Sequence, residues 1–390
     1  MRIAGGMTIA WLSLFLAHAS HALGTIEFGP EFTLSDVKYG SSDKFYNVHT
    51  RMQKHLVEDQ PEGAKFEVVS EGGPHTFTSP NGWWFSWHQE GGDEWHGASM
   101  EVRMKQGTVD YFRHFKNDMQ DAIFVSAANE DIIPALFRGG GHINISASAF
   151  DSDLLLRNFV VDLINHDELF LGVFGYDTNN ALSFQLLPPR AQLAVYEVIQ
   201  KFEQGIVEGV ANPDEQGAFL HQLQQAMQFA MDDFIFRWGL IEQRGKYFAF
   251  NFSKFTSNKR MELRAVRPQA SMDMWVRQID LLAHRLAYLD KIKRPIPILW
   301  KVPVKPLSFS VAGENHMLNP PIEPQLAMRA FYEYVTESGL KWQDHRDYLW
   351  PQWTWNIDGR PSELEKFEKS QWFTRREKVA RCQQELEVAG

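Results

Sequence analysis

An α+β fold follows from three features of the sequence. Segments in which apolar and polar residues alternate crowd the first 150 residues and return near residue 250. Segments with helical spacing of apolar residues fill most of the remainder. The two kinds are interspersed without the strand–helix–strand regularity of a doubly wound parallel sheet, so an antiparallel sheet with helices against it is expected.

The elements read as follows. Residues 1–22 have the pattern of a secretory signal peptide: Arg2, the apolar run Met7 to Ala17, then small residues in A-x-A spacing at Ala17, Ala19 and Ala22. The apolar run is too short to span a bilayer, which takes about 20 residues. Strands are expected at Thr25–Leu34, Lys65–Glu71, Trp83–His88, Ala98–Met104, Gly141–Ala147, Tyr247–Phe252 and Arg260–Val266. Helices are expected at Val109–Ala128, Asp153–His166, Arg190–Gly205, Glu215–Gly239, Met272–Asp290 and Pro324–Ser338, with a last one from Ser362 to Glu387 behind Pro361. Gly72–Pro74, Gly91–Gly92 and Gly139–Gly141 read as turns. The four prolines of Arg294–Pro306 forbid a helix and predict an extended connector.

Composition narrows the function classes. The chain has 390 residues, 39 Lys+Arg against 49 Asp+Glu, and a formal charge of −10, the reverse of the basic excess usual in nucleic-acid binders. Its single cysteine, Cys382, rules out an intrachain disulfide and a thiolate zinc cluster. A secretory signal with one late cysteine predicts a secreted or periplasmic location and no membrane span after cleavage.

The informative pattern is what the strand candidates share. Residues i and i+2 of a strand face the same way. That places Glu27, Gly29, Glu31 and Thr33 together, likewise Glu101 with Arg103, His142 with Asn144 and Ser146, Tyr247 with Asn251, and Glu262 with Arg264. Apolar residues occupy the alternate positions, such as Phe28, Phe32, Val102, Ile143, Ile145 and Leu263. A plain wet sheet face would carry Thr, Lys, Ser and Gln; this one carries carboxylates, arginines, a histidine and asparagines. Carboxylates crowded on one sheet repel unless cations lie between them. Oxygen-rich clusters suit Mg²⁺ or Mn²⁺, and arginines suit phosphate or carboxylate.

The order FGPEF, MEVRM, GGGHINI and then YFAFN…RMELRAV, followed by an amphipathic helix, resembles the amidoligase family over about Gly24 to Lys291. These are carboxylate–amine ligases of the glutamine synthetase and glutamate–cysteine ligase fold. The resemblance implies a glutamine synthetase-like antiparallel sheet with helices on one face. A catalytic domain is expected at 23–294, with a mostly helical insertion at about 150–245, and a Trp-rich helical extension at 295–390. The resemblance also implies ATP- and Mg²⁺- (or Mn²⁺-) dependent amide or peptide bond formation through an acyl phosphate, from small-molecule or peptide carboxylate and amine substrates. Carried over by position, Glu31, Glu101, His142 and Glu262 hold metal. Arg264 contacts phosphate or the acyl phosphate, and Asn144 stands where many relatives have a second histidine. Arg103 and Arg267 contact substrate carboxylate or phosphate; Glu27 has no firm family counterpart but shares the face of Glu31 and is a further candidate catalytic acid. The alternative is an exported relative that does not use ATP, either a degenerate ligase binding an anionic ligand or a carboxylate-based hydrolase. A weaker third reading is a carbohydrate-active protein with tryptophan platforms.

Other features have plainer readings. Trp83, Phe85 and Trp87 share one strand face and read as core; Trp84, Ser86 and His88 share the other. The run Trp350–Trp355 reads as packing, and Cys382 as an incidental thiol.

Overall fold

In a computed structural model the chain is described for residues 25–36 and for 50–379 except 51, 70–74, 91–98, 130, 135–140, 168, 170–183, 185–186, 213–217, 239–249, 252–254, 267–268, 301–306, 312–313, 319–322, 347–353 and 355–359. The signal-peptide segment, Arg267, the Gly91–Gly92 and Gly72–Pro74 turns, Cys382 and most of Trp350–Trp355 therefore lie outside the described residues.

The architecture is α+β, built on a nine-stranded antiparallel sheet. Its strands are β1 (Phe28–Asp36), β2 (Glu67–Val69), β3 (His75–Thr78), β4 (Trp84–Glu90), β5 (Ser99–Met104), β6 (Ile132–Pro134), β7 (Gly141–Ser146), β8 (Phe250–Asn251) and β9 (Arg260–Val266). Their spatial order is β2-β3-β4-β5-β1-β7-β9-β8, with β6 also pairing β1. β1, whose alternate residues Phe28, Phe32 and Leu34 are buried apolar side chains, is thus central, between β5 and β7.

The helices are α1 (Val109–Met119), α2 (Asp153–Asn165), α3 (Pro189–Val207), α4 (Ala218–Trp238), α5 (Met272–Lys291), α6 (Pro324–Glu337) and α7 (Glu363–Glu368). α1 continues through a wide helical turn, Gln120–Val125, into Ser126–Ala128. Three of these helices open in the same way. Thr108, Ser152 and Ser271 accept the N–H of Tyr111, Leu155 and Met274 at 3.2, 3.1 and 3.2 Å. An aspartate follows in each first turn, where it meets the positive end of the helix dipole.

α1 and α5 cover the apolar face of the sheet. Phe32 of β1 meets Trp275 of α5 edge-on at 5.8 Å and Phe124 at 5.1 Å, and Phe112 of α1 meets Trp275 at 5.5 Å. Trp83, Phe85 and Trp87 are buried on that same face, as their alternation predicts. Phe85 stacks at 5.1 Å on Phe77, its cross-strand neighbour.

The helices beyond the sheet join the same core. Arg285 of α5 and Asp162 of α2 are both buried and form a two-pronged pair, Nε to Oδ2 at 2.9 Å and Nη2 to Oδ1 at 2.5 Å. Arg285 Nη1 also reaches Glu337 of α6 at 3.0 Å, and the guanidinium lies over the Tyr334 ring at 4.3 Å. Burial lowers the Arg285 pKa, but the Asp162 charge and hydrogen bonds outweigh it, so the group stays charged.

The proline-rich connector forms neither helix nor strand over its described residues, 294–300, and α2 holds it at two points seven residues apart. Asn158 Oδ1 accepts from Ile296 N at 3.1 Å, and its Nδ2 donates to Arg294 O at 3.0 Å. Asn165 Nδ2 donates to Pro297 O and its Oδ1 accepts from Leu299 N, both at 2.8 Å. Two helical turns of α2, about 10 Å, thus span the three residue steps from Ile296 to Leu299.

The structure corrects the C-terminal reading. The extension is not all helical, because Leu307–Val311 and Glu314–Leu318 pair as an antiparallel hairpin, β10 and β11, separate from the main sheet. The expected last helix breaks after α7, with a turn at Lys369 and Ser370 before helix resumes over 371–379. Ser370 starts the second piece, its Oγ accepting from Phe373 N at 3.2 Å. The break lets Phe367 and Phe373 both reach the buried Trp342, whose Nε1 donates to Glu368 Oε1 at 2.9 Å. No described helix is long and apolar enough to cross a membrane.

Candidate metal and anion site on the polar sheet face

The polar face opposite α1 and α5 is organised in rows across the strands. One row runs Ser86, Arg103, Glu31, His142 from β4 through β5 and β1 to β7. The next runs Gly29, Asn144, Glu262, Asn251 from β1 to β8. On the other side His88 faces Glu101, which faces Thr33. The alternation of each strand, not its length, places these side chains together.

The densest point lies where β1, β7 and β9 meet. His142 Nδ1 is 3.3 Å from Glu31 Oε2 and 3.2 Å from Glu262 Oε1. Ligand atoms of Glu31, His142 and Glu262 all lie within 4.8 Å of one another, and all three residues are buried. Asn144 Nδ2 donates to Glu31 Oε1 at 3.0 Å and to Gly29 O at 3.3 Å. Asn251 Nδ2 donates to Glu262 Oε2 at 3.2 Å, and Arg264 Nη1 to Glu262 Oε1 at 2.5 Å. A β-bulge aids this convergence: between Gly141 and Ile143 the register with β9 shifts by one residue, so His142 faces both Arg264 and Ala265.

Electrostatics keep the central carboxylate ionised. Burial pushes the Glu31 carboxyl up, but the His142 hydrogen bond and charge, with Asn144 and Arg103, outweigh it and hold the pKa at about 2. Arg103 Nε is 3.9 Å from Glu31 Oε1 and pairs closely with Glu101. Arg260 Nη1 approaches Glu31 Oε1 at 4.0 Å from the other side.

Two buried atoms at the centre have no hydrogen-bond partner, His142 Nε2 and Asn144 Oδ1, and Arg260 Nε has none either. An orphaned amide oxygen beside two carboxylates and an imidazole fits a hard divalent cation. The donor set, mostly oxygen with one nitrogen, suits Mg²⁺ or Mn²⁺.

The structure therefore brings together Glu31, His142, Asn144, Glu262 and Arg264, all named from the sequence. It places Glu101 and Arg103 on the same face, one strand to the side, as an ion pair. Glu27 precedes β1 and is exposed, while Glu31 is buried. Asn251, placed on the polar face by strand parity, joins the site, and so does Arg260, which was not singled out for it. Arg260 has the same parity as Glu262 and Arg264 in β9, and extending that strand face by one step would have found it.

No model of a known protein family matches the chain, and no curated protein is significantly similar to it.

Proposed function

We propose that the protein is an ATP- and Mg²⁺- (or Mn²⁺-) dependent carboxylate–amine ligase of glutamine synthetase-like fold, exported by its N-terminal signal, that joins a carboxylate to an amine through an acyl phosphate. The observation that carries this reading is the convergence of Glu31, His142 and Glu262 from three adjacent antiparallel strands, with the orphaned Asn144 Oδ1 beside them. Glu31, Glu262 and His142 would hold a divalent cation, with Asn144 Oδ1 as a fourth donor. When bound, the metal neutralises phosphate charge at the reacting centre.

The remaining residues supply positioning and charge. Arg264 is held by Glu262 at the edge of the site, where its guanidinium meets an anionic phosphoryl group. Arg103 lies between Glu101 and Glu31 and is 42% exposed, so it can reach a substrate carboxylate from solvent. Asn251 and Asn144 orient the two carboxylates.

A second reading, an exported relative that binds an anionic ligand without ATP, draws on the ion pairs. Glu101 and Glu262 are each already paired with arginine, and Arg103 and Arg260 approach Glu31 at 3.9 and 4.0 Å, so each carboxylate has a cationic neighbour without a metal.

Calorimetric titration of residues 23–390 separates the two. Metal-dependent ATP binding that disappears in chelator and in Glu262→Gln supports the ligase. Metal binding without nucleotide binding supports the second reading. Absence of both sinks the site as drawn.

A further inference from the structure

Beside the cation site, β4 and β5 carry a four-residue arrangement of which the ligase reading uses Arg103 alone. Ser86 Oγ lies 3.2 Å from His88 Nε2, two residues on along the same strand. Across the sheet, Arg103 is the register partner of Ser86 and Glu101 the register partner of His88. Arg103 and Glu101 are themselves paired, closing the square. All four side chains stand on the polar face, while their neighbours Phe85, Trp87, Val102 and Met104 are buried on the other.

We propose that this square is a second centre, in which Ser86 Oγ attacks the carbonyl carbon of carboxylic esters. It goes beyond the ligase reading and needs neither metal nor nucleotide. The parts match the requirements of an activated hydroxyl: a nucleophile, a base within hydrogen-bond reach, a carboxylate beside the base, and a cation beside the nucleophile. Ser86 is buried and His88 half-buried.

The chemistry balances with water alone. Ser86 Oγ bonds to the carbonyl carbon and its proton passes to His88 Nε2. The ester C–O bond breaks, and His88 returns that proton to the departing alcohol. Water then attacks the acyl-serine, His88 takes a proton from it, and the carboxylic acid leaves as Ser86 regains its hydroxyl proton. Arg103, the register partner of Ser86, is the cation that would meet negative charge developing on the carbonyl oxygen.

The test is covalent labelling of the full chain in excess chelator with an alkyl fluorophosphonate, in which Ser86 Oγ displaces fluoride. Chelator silences the cation site, so the result is independent of the ligase proposal. One adduct per chain is expected, mapped to Ser86 by peptide mass spectrometry. It should be absent from urea-unfolded protein and from Ser86→Ala, and should form about 100-fold more slowly in His88→Asn. No adduct on the native chain, an adduct at any other residue, or equal labelling of native and unfolded protein overturns the proposal. So does an unchanged rate in His88→Asn. The comparison of native with unfolded wild-type chain needs no variant to fold.

Discussion

Asn144 gives its amide N–H to Glu31 Oε1 at 3.0 Å while its own Oδ1, buried beside the same carboxylate, has no partner. One side chain thus orients a carboxylate and leaves a buried acceptor without a partner. Asn144→Ala removes both functions. Mn²⁺ affinity, read by calorimetry or by the loss of the free-ion electron paramagnetic resonance signal, should fall about 10- to 100-fold. The far-ultraviolet circular dichroism spectrum should be unchanged. Unchanged affinity would mean that Asn144 only braces Glu31.

The polar face was legible because parity is a local property. Glu31, Glu101, His142, Asn144, Glu262 and Arg264 could be put on one surface from i, i+2 spacing once each segment was taken as a strand. The sheet order that joins β1 to β7 and β7 to β9 depends on pairings more than 100 residues apart, and the residues alone do not state it. Short elements were the hardest to read. β3, His75–Thr78, carries one buried apolar residue, Phe77, and β6 spans three residues against the end of β1. Neither is long enough to show a period. The β10–β11 hairpin follows the proline-rich connector and contributes no strand to the main sheet, so no long apolar alternation marked it.

The aromatic contact between β1 and α5 anchors the helical layer. Trp275 is fully buried and meets Phe32 and Phe112 edge-on. Trp275→Ala should cost about 3–5 kcal/mol of unfolding free energy, because the cavity lies between two rigid layers that cannot both collapse. Urea denaturation measures it. A loss below 1 kcal/mol would mean that α5 repacks and that this contact does not set its position.

The pair between Asp162 and Arg285 makes a different prediction for single and double variants. Asp162→Ala leaves a buried guanidinium without its two-pronged partner and should cost about 3–5 kcal/mol. Replacing both, Asp162→Leu with Arg285→Met, should recover much of that loss, since an apolar pair needs no compensation. Denaturation of the two singles and the double gives the coupling directly. Equal costs for single and double variants would contradict the account.

On the outer side of α5, Asp280 and His284 give a pH signature. His284 Nδ1 is 3.4 Å from Asp280 Oδ1, and Arg113 Nη2 reaches the same oxygen at 2.8 Å. The Asp280 hydrogen bond raises the His284 pKa against the effect of burial. Burial pushes Asp280 up, but His284 and Arg113 outweigh it and lower its pKa. The His284 contribution is therefore complete below its unfolded value near 6.5 and is lost as pH rises through the raised folded value. The Asp280 contribution is present above its unfolded value near 3.8 and is lost as pH falls through the lowered folded value. Nearby His345, its pKa lowered by burial, acts in the opposite sense below pH 6.5, so the wild-type profile alone is ambiguous. The difference in melting temperature between wild type and His284→Gln isolates the pair. It should be largest near pH 5 and shrink by pH 8; a difference constant with pH would mean that His284 acts through packing alone.

Gly141 ties the site to its support. A Cβ built there would lie 2.3 Å from Gln269 Oε1 and 2.6 Å from Gln269 Cδ. Gln269 is fully buried and donates to Gln278 Oε1 at 2.7 Å, so its amide has little freedom to move aside. Gly141→Ala should cost about 1–3 kcal/mol as an overpacked position. Since His142 follows directly, at the bulge that aims it between Glu31 and Glu262, Mn²⁺ affinity should fall as well. Gly141→Ala combined with Gln269→Ala reopens the space. If crowding is the cause, the double variant should bind Mn²⁺ more tightly than Gly141→Ala alone even though it has lost a buried hydrogen bond. A double variant that binds no better than the single would assign the glycine's role to backbone freedom at the bulge instead of to the close approach of Gln269.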